Sequence, residues 1–263
     1  MTSTISGYTQ ALSGYWPTAR ALTKSDMGAV VLFLAMVSIP FRKRIFGRSP
    51  KRLRITPGDT TIDFFVRDGV DISVLREMFA DKEYDVTNIV TARPKHIADI
   101  GAHVGAAALF FHALYPEAAI TAYEPDPGNF ELLKRNVSTL KNIECVNAAV
   151  AATAGTITLY LHQGGSTRAT LSLDADTVGE IKVNAILFED VVAKGVDFVK
   201  FDVEGAEYNF FAAAPLEIRR RIPMYVGEFH IGLTGKKPAD LEALFPGYSF
   251  TWKSDALVTM RRN

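Results

Sequence analysis

Short apolar runs alternate with segments of helical periodicity through most of the chain after residue 96. The apolar runs span residues 97–100, 119–123, 143–150, 197–201 and 224–229. In the first two gaps between them, apolar residues recur every three or four positions, over 106–115 and 129–140. Short continuous runs are typical of buried strands, and this spacing is typical of helices packed on a sheet. The alternation predicts a doubly wound α/β fold with a mostly parallel sheet and right-handed crossovers.

The segments on either side of this core have patterns of their own. Apolar residues alternate over 248–253 and 256–261, which predicts an antiparallel hairpin that closes the sheet. Upstream, the pattern predicts a strand over 60–66 and a helix over 71–79 with Asp71 as its N-cap. Alternation over 156–161 predicts an extra strand.

The most apolar stretch is near the N-terminus, at 27–39. Its length of about 13 residues is below the ~20 that a helix needs to cross a bilayer, and no Ala-x-Ala-like signal-peptide site follows it. We divide the chain into a segment over 1–55 and a main domain over 56–263. Two roles stay open for the segment: a helix buried against the domain or a partner subunit of a homo-oligomer, and peripheral membrane contact through 27–54.

Composition narrows the classes of partner. The 263 residues include 29 basic and 29 acidic side chains, so the net charge is zero and no nucleic-acid partner is predicted. Cys145 is the single cysteine, which excludes an internal disulfide and a cysteine-rich zinc site. With 48% hydrophobic and 22% charged residues, the composition is typical of a globular protein. We expect a cytoplasmic location, with membrane association as the alternative.

A glycine loop, Asp-Ile-Gly-Ala-His-Val-Gly, follows the first core strand and starts at Asp99. Its Gly101-x-x-x-Gly105 spacing differs from the G-x-G-x-x-G of dinucleotide sites, which disfavours a nicotinamide-dependent oxidoreductase. Asp99 would repel a pyrophosphate but suits a ligand with an ammonium group and a sulfonium. Glu124, at the end of the next strand, is placed to accept hydrogen bonds from two ribose hydroxyls. The sequence therefore predicts S-adenosylmethionine as the cofactor, with His103 inside the loop that contacts it.

Candidate polar residues fall at the carboxyl ends of predicted strands. Ligands of open α/β sheets bind outside these ends, near the point where the strand order reverses. The residues at such ends are Asp99, Glu124, Asn147, Asp202, Glu228 and His230. Their shared position predicts one binding site.

Four strings of residues carry a resemblance to a known family. They are Asp-Ile-Gly-Ala-His-Val-Gly at 99–105, Tyr-Glu-Pro-Asp-Pro at 123–127, Val-Asp-Phe-Val-Lys-Phe-Asp-Val-Glu-Gly-Ala-Glu at 196–207 and Gly-Glu-Phe-His at 227–230. Together they resemble the FkbM family of S-adenosylmethionine-dependent methyltransferases, over about residues 60 to 262. The resemblance implies a class I methyltransferase fold, which is Rossmann-like with a C-terminal antiparallel hairpin. It also implies O-methylation of a hydroxyl on a sugar, a glycan or lipid, or a small natural product.

The resemblance further implies which residues contact the cofactor. The methionine end is lined by Asp99, Gly101 and Gly105, the ribose by Glu124, and the adenine by Asn147 and Ala148. Asp202 borders both the cofactor and the substrate mouth, and Glu83 and Tyr84 close over the cofactor from the preceding segment.

The chemistry of hydroxyl methylation requires removal of a proton. Glu204, Glu228 and His230 are the candidate bases, since all three lie at strand ends that face one mouth. We predict no metal; the alternative is a magnesium ion held by Asp202, Glu228 and His230. A second alternative is a non-catalytic sensor or scaffold that binds S-adenosylmethionine without turnover.

Overall fold

The computed structural model describes residues 13–46, 49–88, 92–162, 169–170 and 177–263. The helices are α1 (13–21), α2 (Asp26–Phe46), α3 (Gly69–Phe79), α4 (Ala106–Leu114), α5 (Pro127–Val137), α6 (Phe188–Val192), α7 (Glu207–Ala213), α8 (Leu216–Arg219), α9 (Ile231–Thr234) and α10 (Pro238–Leu244). The strands are β1 (Lys51–Ile55), β2 (Ile62–Val66), β3 (His96–Ile100), β4 (Ala119–Tyr123), β5 (Ile143–Val146), β6 (Ala149–Val150), β7 (Gly155–His162), β8 (Ala169–Thr170), β9 (Thr177–Ile186), β10 (Phe198–Phe201), β11 (Met224–Glu228), β12 (Tyr248–Trp252) and β13 (Leu257–Arg262).

The chain divides into two compact units. The first contains Met1–Asp85, Val104–Pro116 and Leu132–Leu140, and the second contains Val86–His103, Glu117–Glu131 and Lys141–Asn263. The second unit holds the central sheet, whose strand order is β12-β13-β11-β10-β3-β4-β5. β5, β4, β3, β10 and β11 are parallel to one another. β13 is antiparallel to β11 and to β12, which forms the edge of the sheet. The predicted mostly parallel α/β fold and C-terminal hairpin are confirmed.

Register brings the chemically important strand ends together. Ile100 of β3 pairs with Tyr123 of β4 and with Phe201 of β10, which in turn pairs with Gly227 of β11. Each of these residues is at or next to the carboxyl end of its strand. The residues that follow β3, β4, β10 and β11 therefore emerge at one edge of the sheet, as the sequence predicts.

The structure splits the strand predicted over 143–150. β5 stays in the central sheet, whereas β6 pairs with β9 in a separate four-stranded sheet with β7 and β8. The chain turns between them at Asn147, whose side-chain amide donates to the backbone carbonyls of Glu124 (2.8 Å) and Pro125 (3.1 Å). The extra strand predicted over 156–161 is confirmed as β7, while β9 was missed although exposed residues alternate with less exposed ones over 180–185.

Aromatic rings fill the core beneath the ends of β10 and β11. The Phe211 ring lies 5.1 Å from Phe201, 5.6 Å from Tyr225 and 5.0 Å from Phe245, all edge to face. Edge-to-face packing adds a directional component to simple burial, because the ring edge is positive and its face negative. This packing holds α7 against the strands that carry the site residues.

The first unit contains α1, α2, the β1–β2 pair and α3. The helix predicted to start at Asp71 starts at Gly69, and Asp68 is its N-cap, with its carboxylate accepting from Val70 N (3.0 Å). Asp71 is buried and forms an ion pair with Arg67 at 2.9 Å, so the cap assignment to Asp71 was wrong. The predicted domain boundary between residues 55 and 56 falls between β1 and β2, which pair with each other. The boundary stays a prediction. No helix among the described residues has the length and apolar character needed to cross a membrane.

Candidate active site

The glycine loop turns sharply after β3. Gly101 has φ +79°, and the N–H groups of Gly101 and Ala102 donate to the Tyr123 carbonyl at 3.0 and 2.9 Å. A Cβ on Gly101 would lie 1.8 Å from the Asp202 carbonyl oxygen, so only glycine fits between the ends of β3 and β10. The turn leads through His103, also at positive φ (50°), into the start of α4.

Glu124 lies buried at the end of β4 and holds the loop. Its Oε2 accepts from His103 N (2.9 Å), and its Oε1 accepts from Asp126 N (2.9 Å) and Asn129 Nδ2 (3.3 Å). Burial raises the pKa of Glu124 to about 7, against these hydrogen bonds, which lower it. Asp126 in turn accepts from Asn129 N at 2.8 Å and caps α5, where Pro127 occupies the first position.

These contacts leave Glu124 with one unused acceptor position. A carboxylate offers about four lone-pair sites, and the three hydrogen bonds use two on Oε1 and one on Oε2. Oε2 can therefore accept a further hydrogen bond, which fits a ribose hydroxyl. Glu124 is a hydrogen-bond acceptor and the ribose hydroxyls of S-adenosylmethionine are donors, so the two are chemically compatible. The contact itself stays a prediction.

Asn147 lies beside Glu124, and Ala148 follows it in the chain. Asn147 uses its amide hydrogens to hold the backbone at Glu124 and Pro125. Ala148 is buried, and its N–H donates to the Val146 carbonyl at 3.1 Å. Both residues shape the turn between β5 and β6, and their contact with adenine stays a prediction.

Asp99 is fully buried and paired with Lys200 across the β3–β10 ladder. Their Oδ1 and Nζ atoms are 3.1 Å apart, and Nζ also donates to the Gly101 carbonyl at 2.6 Å. Burial alone would lower the pKa of Lys200, but the charges of Asp99 and Asp202 raise it overall. Lys200 was not among the predicted site residues. It neutralises Asp99 and fixes the glycine loop, while the role of Asp99 at the methionine end stays a prediction.

A histidine surrounded by carboxylates occupies the ends of β10 and β11. His230 Nε2 lies 3.4 Å from Glu228 Oε2, 3.7 Å from Glu204 Oε2 and 3.8 Å from Asp202 Oδ1. The three candidate bases are thus brought together, and Asp202 links them to Lys200, whose Nζ is 4.0 Å away. Which of them acts as the base stays a prediction.

Glu207, at the start of α7, organises this cluster and was missed as a site residue. It is fully buried, and its Oε1 accepts from Val203 N (3.2 Å) and Gly205 N (3.1 Å) and lies 2.7 Å from His230 Nδ1. One oxygen thereby fixes both the imidazole and the loop in which Glu204 has a positive φ of 54°. The signal was present in the sequence, because Glu207 ends the Lys-x-Asp-x-Glu-Gly-x-Glu string.

Charge determines what His230 can do. Burial alone would lower its pKa, but hydrogen bonds to Glu207 and Glu228 and the charges of Glu207 and Asp202 raise the pKa of His230 to about 11. The imidazole is therefore protonated at neutral pH and is already a cation, so it cannot accept a proton there. Among the three candidates this favours Glu204 and Glu228 as the base.

Two further predictions concern a metal and the closing segment. Asp202, Glu228 and His230 each place one ligand-type atom within 4.8 Å of the others. A cation there would have to displace the proton from the imidazole, and we keep the metal-free prediction.

Glu83 and Tyr84 follow α3 in the first unit, where Tyr84 is buried and Glu83 N donates to the Glu77 carbonyl at 3.0 Å. Their closure over a cofactor stays a prediction.

Comparison with known proteins gives the family. The family model described as "Methyltransferase FkbM domain" matches residues 99–250, more than half of the chain. The chain belongs to the FkbM methyltransferase family. The predicted resemblance is confirmed, and S-adenosylmethionine as the cofactor is confirmed with it.

Individual relatives are similar at moderate identity. The "31-O-demethyl-FK506 methyltransferase FkbM" of Streptomyces tacrolimicus is 28% identical over 67% of this FkbM-family chain and 80% of its own. "Methyltransferase sdnD" of Sordaria araneosa is 28% identical over 51% of this chain, which spans 65% of that relative's length, less than two thirds. Among solved structures, precorrin-6y C5,15-methyltransferase from Geobacter metallireducens GS-15 is 13% identical with a TM-score of 0.41, covering 67% of this chain and 85% of its own.

Proposed function

We propose that this protein transfers a methyl group from S-adenosylmethionine to a hydroxyl oxygen of a sugar, a glycan or lipid, or a small natural product. The supporting observation is the cluster at the ends of β10 and β11. There, Glu204 and Glu228 lie within 3.7 Å of the protonated His230, next to the glycine loop that follows β3. The name of the Streptomyces relative, which refers to an O-demethyl acceptor, supports oxygen as the methylated atom.

The cluster suits proton removal from a hydroxyl. When bound, S-adenosylmethionine supplies the methyl group, whose bond to sulfur breaks as the bond to the acceptor oxygen forms. The carboxylate of Glu204 or Glu228 takes the proton that this oxygen loses. His230, held by Glu207 at 2.7 Å, attracts both carboxylates through its charge, and its Nε2 lies 3.4 Å from Glu228 Oε2. The backbone N–H groups of Val203 and Gly205 donate to Glu207 Oε1 and hold this carboxylate in place.

The acceptor class can be tested directly. Purified protein is incubated with S-adenosylmethionine and a library of sugars, glycolipids, polyols and phenols, and S-adenosylhomocysteine is measured by mass spectrometry. We expect turnover with at least one hydroxyl compound and a methyl ether in the product. Methylation of an amine or a carbon atom instead would contradict O-methylation. Cofactor binding without turnover on any class would favour the sensor.

The base is identified by two variants and a control. Loss of a general base typically lowers the rate by 10²–10⁴-fold, so Glu204→Gln or Glu228→Gln should lower kcat by that factor. Affinity for S-adenosylhomocysteine should stay within about twofold, since neither residue holds the glycine loop. Glu180→Gln, an exposed glutamate on β9, is the matched control and should retain the parent rate. If both cluster variants turn over within a few fold of the parent, the proton leaves by another route.

A further inference from the structure

Helix α2 is apolar on two faces, and among the described residues only one of these faces is buried. Ala29, Leu32, Met36 and Ile39 are buried in the first unit. On another face, Met27, Val31 and Leu34 are 73%, 61% and 60% exposed, and Val30 is exposed beside them. Positions 27, 30, 31 and 34 follow helical spacing and so share one face. We call these four residues the exposed stripe.

Helix α1 places a tryptophan against α2. Trp16 is exposed, and its ring packs edge to face against Phe33 of α2 at 5.8 Å. A tryptophan with one edge on apolar residues and the other in solvent is typical of the boundary between lipid and water. Isolated apolar residues on a surface are ordinary, whereas a contiguous group of this kind indicates a binding surface.

The charge of the same segment identifies the partner. Residues 27–58 contain no Asp or Glu and seven basic residues. These are Arg42, Lys43, Arg44, Arg48, Lys51, Arg52 and Arg54. Because the whole chain is neutral, the rest of it, with 22 basic and 29 acidic residues, carries a net charge of −7. The positive charge is therefore concentrated in the same segment of sequence as the exposed stripe, and such a charge complements an anionic surface.

Basic side chains on β1 are available to such a surface. Arg52 and Arg54 are largely exposed, and their ion pairs with Asp63, at 3.4 and 3.6 Å, are surface contacts. Surface ion pairs contribute little to stability, because solvent screens them and ordering long side chains costs entropy. These arginines can exchange Asp63 for a lipid phosphate at small cost.

We propose that the exposed stripe and the basic residues that follow it dock this protein on an anionic lipid surface. A second copy of the chain is a poorer occupant, because a two-fold symmetric contact would bring two segments of charge +7 together. Crossing the bilayer is not required, since an amphipathic helix binds with its apolar face buried ~5–10 Å into the interface. This proposal is independent of the chemistry at the strand ends.

Vesicle co-sedimentation tests the proposal with the full chain. The probes are vesicles of phosphatidylcholine alone and of phosphatidylcholine with about one third phosphatidylserine. We expect binding to the anionic vesicles, weaker binding as salt rises because the charges are screened, and little binding to the neutral ones. Absence of binding to anionic vesicles, or equal binding to both kinds, would overturn the proposal.

Variants separate the apolar and the electrostatic contributions. Leu34→Glu should weaken partition by roughly 10- to 100-fold through the lost burial of one leucine. Replacing Arg42, Lys43 and Arg44 by Gln should weaken it by on the order of 10²-fold. Val178→Glu on β9, where the parent side chain is 58% exposed, is the matched control and should bind like the parent. Parent-like binding of both stripe and charge variants would refute the assignment.

The oligomeric state tests whether a second copy of the chain, and not lipid, covers the exposed stripe. Sedimentation equilibrium without lipid should give a monomer for the parent and for Leu34→Glu. If the parent forms a concentration-dependent dimer and Leu34→Glu is monomeric, the exposed stripe is a contact between copies of the chain. That result would overturn lipid docking.

Discussion

Gly101 and Gly195 form a natural pair for measuring how tightly the cofactor loop is packed. Both have φ +79°, but a Cβ on Gly101 would lie 1.8 Å from the Asp202 carbonyl oxygen, and a Cβ on Gly195 would meet nothing within 4 Å. Gly195→Ala therefore imposes only the left-handed backbone strain. Gly101→Ala imposes the same strain together with a collision against the backbone at the end of β10.

The two energies can be separated. Left-handed backbone costs a non-glycine residue roughly 1–2 kcal/mol, and the lower entropy of the unfolded alanine chain offsets about 0.4–1 kcal/mol of this. We expect Gly195→Ala to lower the free energy of unfolding by about 1 kcal/mol. Overpacking adds about 1–3 kcal/mol, and the upper part of that range applies to Gly101 because backbone cannot rotate away. The difference between the variants should be about 2–3 kcal/mol.

Function should separate the variants further. Widening the gap between β3 and β10 displaces Asp202 and the loop that Glu124 holds, and a displacement of ~1 Å costs on the order of 10²-fold in positioning. Urea unfolding followed by circular dichroism and by fluorescence gives the stabilities, and coincident transitions justify comparing them. Calorimetric titration with S-adenosylhomocysteine gives the affinities. If Gly101→Ala matches Gly195→Ala in stability and affinity, the close approach of β3 and β10 is not a constraint on the site.

Four further predictions follow from the buried charges. Burial raises the pKa of Glu124 to about 7, and ribose hydroxyls donate to its ionised form. The affinity for S-adenosylhomocysteine, measured by titration calorimetry, should therefore rise from about pH 6 to about pH 8. In Glu124→Gln the affinity should not change over this pH range. Lys200→Met removes the ammonium that lies 3.1 Å from the buried Asp99 carboxylate, so it should lower the free energy of unfolding, measured by urea denaturation, by roughly 3–5 kcal/mol, and adding Asp99→Asn should restore much of it. Glu207→Ala should lower kcat more than it raises KM in steady-state assays, because His230 and the neighbouring loop lose their shared acceptor, and Glu207→Gln should recover part of the rate. Chelation by EDTA should leave turnover within twofold, and restoration of lost activity by added magnesium would contradict the metal-free prediction.

Short-range patterns predicted most of the fold. The parallel strands are mostly apolar and four or five residues long, and the glycine loop and the C-terminal hairpin are set by neighbours in sequence. The start of α3 was placed wrongly because both Asp68 and Asp71 are acceptable caps, and only the contact of Asp71 with Arg67 distinguishes them. Both contacts join residues at most four positions apart, so the choice depends on side-chain geometry and not on apolar spacing.

Long-range contacts decided what sequence reasoning missed at the site. Glu207 and His230 are 23 positions apart, and Lys200 and Gly101 are 99 apart, so neither spacing carries a signal. Both contacts depend on strand order: β10 lies between β3 and β11, so the residues after it reach both neighbours. The residues at strand ends were predictable as a set, whereas their partners required the register.

The distribution of charge gives a further reason to favour a carboxylate base. Asp202, Glu204, Glu207 and Glu228 surround a single imidazolium, so this cluster carries an excess of negative charge. Methyl transfer from a sulfonium removes one positive charge from the ligand, and the acceptor hydroxyl releases one proton. When a carboxylate of the cluster takes that proton, repulsion among the remaining carboxylates falls just as the ligand becomes neutral. A neutral imidazole in the same place would gain a charge instead, and the surrounding carboxylates already stabilise the protonated form of His230. On the proposed chemistry, the carboxylates around His230 therefore keep the imidazole protonated, and one of these carboxylates accepts the proton from the substrate.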